Sequence, residues 1–222
     1  MLSCKKIYKS YNTTNMGSNP VIDNVDLTIQ KGELIALKGP SGSGKTTLLN
    51  LISGLDNITS GEIIFENHNL TLMNNDELSY FRNKNIGIIF QFFNLLNDLT
   101  VIENISMPLL LRGVSRKTAY NKALELVKEL DLVERENYKT SLLSGGESQK
   151  VAIARSLITE PRIILADEPT GNLDAENTEK IIKLLINSCK AFNSSLLIVS
   201  HDENIIKHFN TVYKLDSGKL SS

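Results

Sequence analysis

The run GPSGSGKTT, Gly39 to Thr47, fits the spacing G-x-x-x-x-G-K-[ST], between an apolar segment and a helix-like one. Gly39, Gly42 and Gly44, with Pro40, Ser41 and Ser43 between them, let successive backbone N–H groups turn inward around phosphate oxygens. The following helix adds the positive end of its dipole. Lys45 then reaches the β and γ phosphates, while the hydroxyl of Thr46, with Thr47 next in line, is a ligand for Mg²⁺. A second chemical group closes the apolar run IILADE. Asp167 is placed there to hold Mg²⁺ directly or through water, and Glu168 to accept the proton of an attacking water. Alone, that acidic pair would also read as a surface cap near Pro169. LSGGE, residues 143–147, has two adjacent glycines at a helix start and no catalytic group of its own.

These groups need strands and turns to bring them together. VIDNVDLTI (21–29) alternates apolar and polar residues, and KGELIALKG (31–39) turns at Gly32 into an apolar run, so two strands are expected. GEIIFENHNL reads as a further strand and NIGIIFQ (85–91) as a short buried one. From 100 to 157 the spacing becomes helical through VIENISMPLLLRG, RKTAYNKALELVKELDL and ESQKVAIARSLI, with Ser115 as a cap. Strands return at PRIILADE and SLLIVSHD, separated by the helical AENTEKIIKLLINSCKAF, and TVYKLDSGKL reads as a hairpin around Ser217-Gly218. Alternating strands and helices with apolar strands predict an α/β fold, with a mostly parallel sheet covered on both faces.

Composition narrows the classes. The 222 residues are 41% hydrophobic and 22% charged, as in a globular domain with a sizeable core. With 24 Lys plus Arg against 25 Asp plus Glu the net charge is -1, so no global field invites nucleic acid. MLSCKKIYKSYNTTN has no apolar leader core, and no apolar stretch approaches the roughly 18 to 20 residues of a membrane-spanning helix, so a cytosolic chain is expected. Cys4 and Cys189 lack the company of a zinc site or disulfide framework and read as small buried hydrophobes. His68 and His208 read as surface residues. A guanine reader N-K-x-D is unsupported, since NKNI at 83–86 has Ile86 where the aspartate belongs. A small-molecule kinase would want an arginine-bearing lid, and the helical stretch supplies only Arg112, Arg116 and Arg135.

Taken in order, the motifs resemble those of the ATP-binding cassette (ABC) ATPases, and the likeness covers nearly the whole chain. LSGGE resembles that family's signature motif, and Gln91 the glutamine that joins the core to a helical subdomain. GNLD (171–174), with Asp174, is similar to its D-loop, His201 in SHD to its switch histidine, and Tyr11 to the aromatic that stacks on adenine. The resemblance implies a P-loop NTPase (RecA-like) core with an antiparallel β subdomain and an inserted α-helical subdomain. It implies one domain over 1–222, the core comprising 1–91 and 158–222 and the helical signature subdomain 92–157. It also implies ATP and Mg²⁺ as ligands, catalysis by Glu168, His201, Gln91 and Lys45, and metal contacts from Thr46, Gln91 and Asp167. Ser144, Gly145, Gly146 and Glu147 would bind the ATP held by a second copy of the chain, giving an ATP-sandwich dimer.

Two positions depart from the usual pattern. Glu147 stands where the family often has Gln, and Lys150 where it often has Arg, which keeps the charge but not the bidentate fork. Within the family, FQFFNLLNDLTVIENISMPLLLRG and LADEPTGNLD most resemble the ATPases of lipoprotein-releasing, macrolide-exporting and antimicrobial-peptide systems. Those drive membrane permeases, so the expected place is the cytoplasmic face of the membrane, bound through the permease. The alternatives are the cell-division ATPase and a non-transport ABC ATPase. The latter normally carries coiled-coil arms or tandem cassettes, for which this length leaves no room.

Overall fold

A computed structural model describes residues 1–11, 20–171 and 173–221. Six strands form the central sheet: β3 (Leu34–Lys38), β6 (Ile86–Ile89), β7 (Ile163–Asp167), β8 (Ser195–Val199), β9 (Thr211–Asp216) and β10 (Lys219–Ser221). Their order is β10-β9-β3-β8-β7-β6, parallel except for the β9/β10 hairpin. Every residue of β7 and β8 is buried, as parallel strands covered on both faces require.

The side-chain period of two sorts those strands between two cores. Ala36, Ile164, Ala166, Leu196 and Ile198 pack with α3 (Val101–Leu111), α4 (Arg116–Glu129), α5 (Gly145–Leu157) and α6 (Ala175–Phe192). Their neighbours Ile35, Leu37, Ile163, Leu165, Leu197 and Val199 face the other way, onto α1 (Lys45–Ile52) and a second sheet. That sheet is antiparallel, in the order β2-β1-β4-β5, from β1 (Leu2–Lys9), β2 (Ile22–Ile29), β4 (Ser60–Phe65) and β5 (His68–Asn69).

The structure differs from the sequence expectations in several places. β1 was not anticipated because its alternation breaks: Lys6 has φ 48° and the pairing register shifts between Cys4 and Ile7, so apolar positions change step. Residues 61–70 are not one strand. Glu66, at φ 54°, turns β4 back into β5. Helix α2 (Asn75–Asn85) buries only Leu78, Phe81 and Asn85, too little for an apolar stripe, and only its capping box of Asn74 with Glu77 marks it. His208 is not a free surface residue, since its Nε2 lies 3.0 Å from Glu179 and its side chain is mostly covered. The Ser115 cap is present, accepting from the Thr118 amide, and both cysteines are buried.

Candidate functional site

The loop between β3 and α1 packs too tightly for side chains at its glycines. A Cβ on Gly39 would stand 2.0 Å from the Leu215 carbonyl oxygen, and Gly44 sits at φ 101° with the Val21 carbonyl 2.7 Å from where its Cβ would be. Glycine alone tolerates both. The loop and the ends of β7 and β8 enclose a cavity of about 650 Å³. Gly39, Pro40, Ser41, Gly42, Gly44, Lys45, Thr46, Thr47, Gln91, Asp167, Glu168 and His201 all line it, although they come from four separate stretches of chain. Val21 and Val199 also line it, and nothing in the sequence marked them. Ser43 is buried within the loop, and its Oγ has no hydrogen-bond partner among the described residues.

Inside the cavity the polar groups are already organised. Lys45 Nζ donates to the carbonyls of Gly39 and Pro40, both at 2.9 Å. Thr46 Oγ1 donates to Asp167 Oδ2 at 2.7 Å, across 121 residues of sequence. Burial raises the pKa of Asp167 above the ordinary value, and the nearby Glu168 charge adds to this. The Thr46 bond and the Lys45 charge oppose it. Glu168 follows at φ 46°, a left-handed backbone that non-glycine residues adopt mainly where the surroundings compel it. Its Oε1 meets His201 Nδ1 at 2.8 Å.

Tyr11 does not line this cavity. It is half exposed, its hydroxyl donates to Asp56 Oδ2 at 2.6 Å, and Lys9 Nζ stands 4.6 Å from the ring centroid. Lys9 also binds Asp56 Oδ1 at 2.7 Å, so one carboxylate orients both. Burial pushes the Asp56 carboxyl up, but the hydrogen bonds from Lys9, Tyr11 and the Asn57 amide outweigh it and hold the pKa below the ordinary value. The sequence reading missed this support, because Asp56 in GLD carries no local sign of a partner 45 residues away.

Ser144, Gly145, Gly146 and Glu147 also lie outside that cavity, at the start of α5. Ser144 is the N-cap. Its Oγ accepts from the Glu147 amide at 3.3 Å, Glu147 Oε2 accepts from the Ser144 amide at 2.9 Å, and Arg135 Nε donates to Glu147 Oε1 at 2.9 Å. The N–H groups of Gly145 and Gly146 precede the first intrahelical bond, from Ser148 N–H to the Ser144 carbonyl. Asp174 likewise caps a helix, accepting from the Asn177 amide at 2.9 Å at the start of α6. Asn172 of the GNLD stretch, and residues 12–15 of the N-terminal run, lie outside the described residues.

An ABC transporter family model matches residues 22–171. The lipoprotein-releasing system ATP-binding protein LolD of Pseudoalteromonas translucida is 44% identical over 223 residues, covering 100% of this chain and 95% of that protein. Its counterpart in Legionella pneumophila (strain Lens) is 43% identical, covering 99% and 96%. Among solved structures, the dimeric ATP-binding cassette MJ0796 in a post-hydrolysis state bound to ADP and Pi superposes with a TM-score of 0.95. It is 37% identical, with 100% of this chain and 97% of that one covered.

Proposed function

The chain belongs to the ABC transporter ATP-binding cassettes, and from that premise we propose that two copies close on ATP to drive a membrane permease of the lipoprotein-releasing kind. It is an ABC-type ATPase. One observation carries the reading. The phosphate loop, Asp167, Glu168 and His201 share one cavity, while the helix end at Ser144–Gly146, equally suited to phosphate, lies outside it. A site made of these parts is completed by a second copy.

The backbone N–H groups of Ser41 to Thr47 wrap the phosphates, and Lys45 exchanges its two loop carbonyls for β and γ oxygens. Thr46 and Asp167 bring a hydroxyl and a carboxylate into contact, a hard-oxygen pair suited to Mg²⁺, and Gln91 on the cavity wall adds an amide oxygen. When bound, the metal neutralises charge developing on the phosphate oxygens. Glu168 accepts the proton of the attacking water, and His201, hydrogen-bonded to it, orients that carboxylate and faces the γ-phosphate. Tyr11 stacks on adenine, held in place by Asp56. Ser144, Gly145, Gly146 and Glu147 of the second copy close over the phosphate, with Asp174 at the same junction.

We assign residues 92–157 to the helical subdomain and the remainder to the core. Phe92, Leu96 and Leu111 are exposed by 80%, 49% and 73%, whereas Leu95 is partly buried against the core that α3 to α6 share with the sheet. The exposed three form the proposed permease-docking surface. Among the described residues no helix is long and apolar enough to cross a membrane, so the proposed attachment to the cytoplasmic face is through that permease.

The composite site is tested by light scattering. Glu168→Gln should be a twofold dimer at saturating Mg-ATP and a monomer with ADP, and adding Ser144→Arg should abolish the dimer by blocking the helix end. A Glu168→Gln chain that stays monomeric, or dimerises equally with Ser144→Arg, overturns the reading.

A further inference from the structure

Arg155, in the last turn of α5, reaches the chain that follows Gln91. Its Nη1 donates to the Asn94 carbonyl at 2.6 Å and its Nη2 to the Phe93 carbonyl at 2.7 Å. Burial of the Arg155 side chain lowers the guanidinium pKa from the ordinary value; the bond to Phe93 is partly buried and the bond to Asn94 is exposed, and both are charge-assisted. The backbone they hold is strained. Phe93 and Asn94 have φ of 59° and 49°, and the Asn94 amide donates to the Phe92 carbonyl at 2.6 Å, closing a three-residue turn around a bulky side chain. Conformations of this kind persist only where their surroundings over-determine them.

A second tie lies just downstream. Asn104 of α3, fully buried, accepts from the Leu96 amide at 2.9 Å and donates to the Leu96 carbonyl at 3.0 Å. The turn thus leaves Gln91 on the cavity wall and the next side chain, Phe92, in solvent. The planar guanidinium presents its two donors in one fixed geometry matched to the paired carbonyls, whereas an ammonium acts as a point charge on a flexible stem.

We propose that Arg155 is a positioning residue for ATP hydrolysis, its two hydrogen bonds holding the 91–94 turn so that Gln91 faces the cavity. The catalytic consequence rests on the ATPase reading above, whereas the clamp rests on geometry alone. The helix that begins at Ser144 is therefore bonded, at its other end, to the turn that carries Gln91. A change at the partner's phosphate thereby has a covalent and hydrogen-bonded route to Gln91.

The test uses Arg155→Met, which keeps the stem, Arg155→Lys, Gln91→Ala and the double variant Gln91→Ala/Arg155→Met. In nucleotide-free protein, amide exchange across residues 92–95 should accelerate about tenfold or more in Arg155→Met, as the loss of two charge-assisted bonds implies, and less in Arg155→Lys. Turnover should fall by about tenfold while ATP affinity stays within about twofold, and Arg155→Lys should recover part of the loss. The double variant should be no slower than Gln91→Ala, because both remove the same placement. Should Arg155→Met fail to fold, the exchange and turnover of Arg155→Lys decide alone. Exchange indistinguishable from the parent, or turnover in the double variant equal to the product of the single effects, overturns the clamp. A parent chain without Mg-ATP turnover would instead defeat the ATPase reading, with the exchange result still reporting on Arg155.

Discussion

Glu168 Oε1 and His201 Nδ1 stand 2.8 Å apart at the ends of the adjacent strands β7 and β8. The carboxylate is mostly covered and the imidazole mostly exposed, so the histidine holds the base from its solvent side. Glu168→Gln keeps the size and hydrogen bonding but not the base, and should slow turnover by about 10² to 10⁴ without comparable loss of ATP affinity. His201→Ala should show the same split to a smaller degree. Single-turnover rates beside equilibrium binding decide this, and an affinity loss as large as the rate loss would remove Glu168 from the chemistry.

Lys45 spends its charge on two loop carbonyls when no phosphate is present. Lys45→Ala should leave the fold intact and cost about 1.5 to 3 kcal/mol of ATP affinity, the range for a hydrogen bond to a charged group. Calorimetric titration measures it. Unchanged affinity and turnover would detach this loop from nucleotide binding.

Tyr11 is held by Asp56, and their contributions should separate. Tyr11→Ala should weaken ATP binding by roughly 1 to 3 kcal/mol if base stacking has its usual strength. Asp56→Ala, which frees the hydroxyl without removing the ring, should raise KM less and leave kcat near the parent value. Equal ATP affinity in Tyr11→Ala would exclude the ring from the adenine site.

The capping box at Ser144 gives a pH prediction. The Ser144 amide and the Arg135 guanidinium hold the Glu147 carboxyl below its ordinary value of 4.5. A depressed carboxyl pKa contributes stability that is complete above the unfolded-state value and lost as pH falls through the folded one. Glu147→Gln can keep the box through its one oxygen but loses the charge and the acceptor for Arg135, so at pH 7 it should cost about 0.5 to 1 kcal/mol, allowing for solvent screening. The gap should close below pH 4.5. Thermal unfolding across pH reads it, and a gap independent of pH would contradict the ionic contribution.

The exposed apolar side chains test the partner. Leu111→Glu, at the end of α3, should weaken assembly with the permease while ATP affinity is retained. Co-purification from membranes is the measurement, and complexes recovered at the parent yield would leave Leu111 outside the docking surface.

Much of this protein was legible in local signals. The phosphate loop is written in consecutive residues because its chemistry depends on backbone amides, whose geometry glycine spacing sets directly. The α6 limits Ala175–Phe192 match the helical spacing of AENTEKIIKLLINSCKAF, and β7 and β8 follow from apolar runs that only a sheet covered on both faces can bury. Where local signals failed, an identifiable feature hid them: the bulge at Lys6 disrupted the alternation of β1, and α2 is too polar for a stripe.

Only the tertiary structure decided the pairings. Thr46 with Asp167, Glu168 with His201, Tyr11 with Asp56 and Arg155 with Phe93 and Asn94 span 121, 33, 45 and about 60 residues. Periodicity reports which face of an element is buried and says nothing of what lies opposite, since burial is a property of one residue and a hydrogen bond a property of two. Phe92 and Leu95 make the same point: both are apolar and three residues apart, yet one stands in solvent and the other is partly buried against the core. That division accompanies the 91–94 turn, whose carbonyls Arg155 of α5 reaches from about 60 residues away.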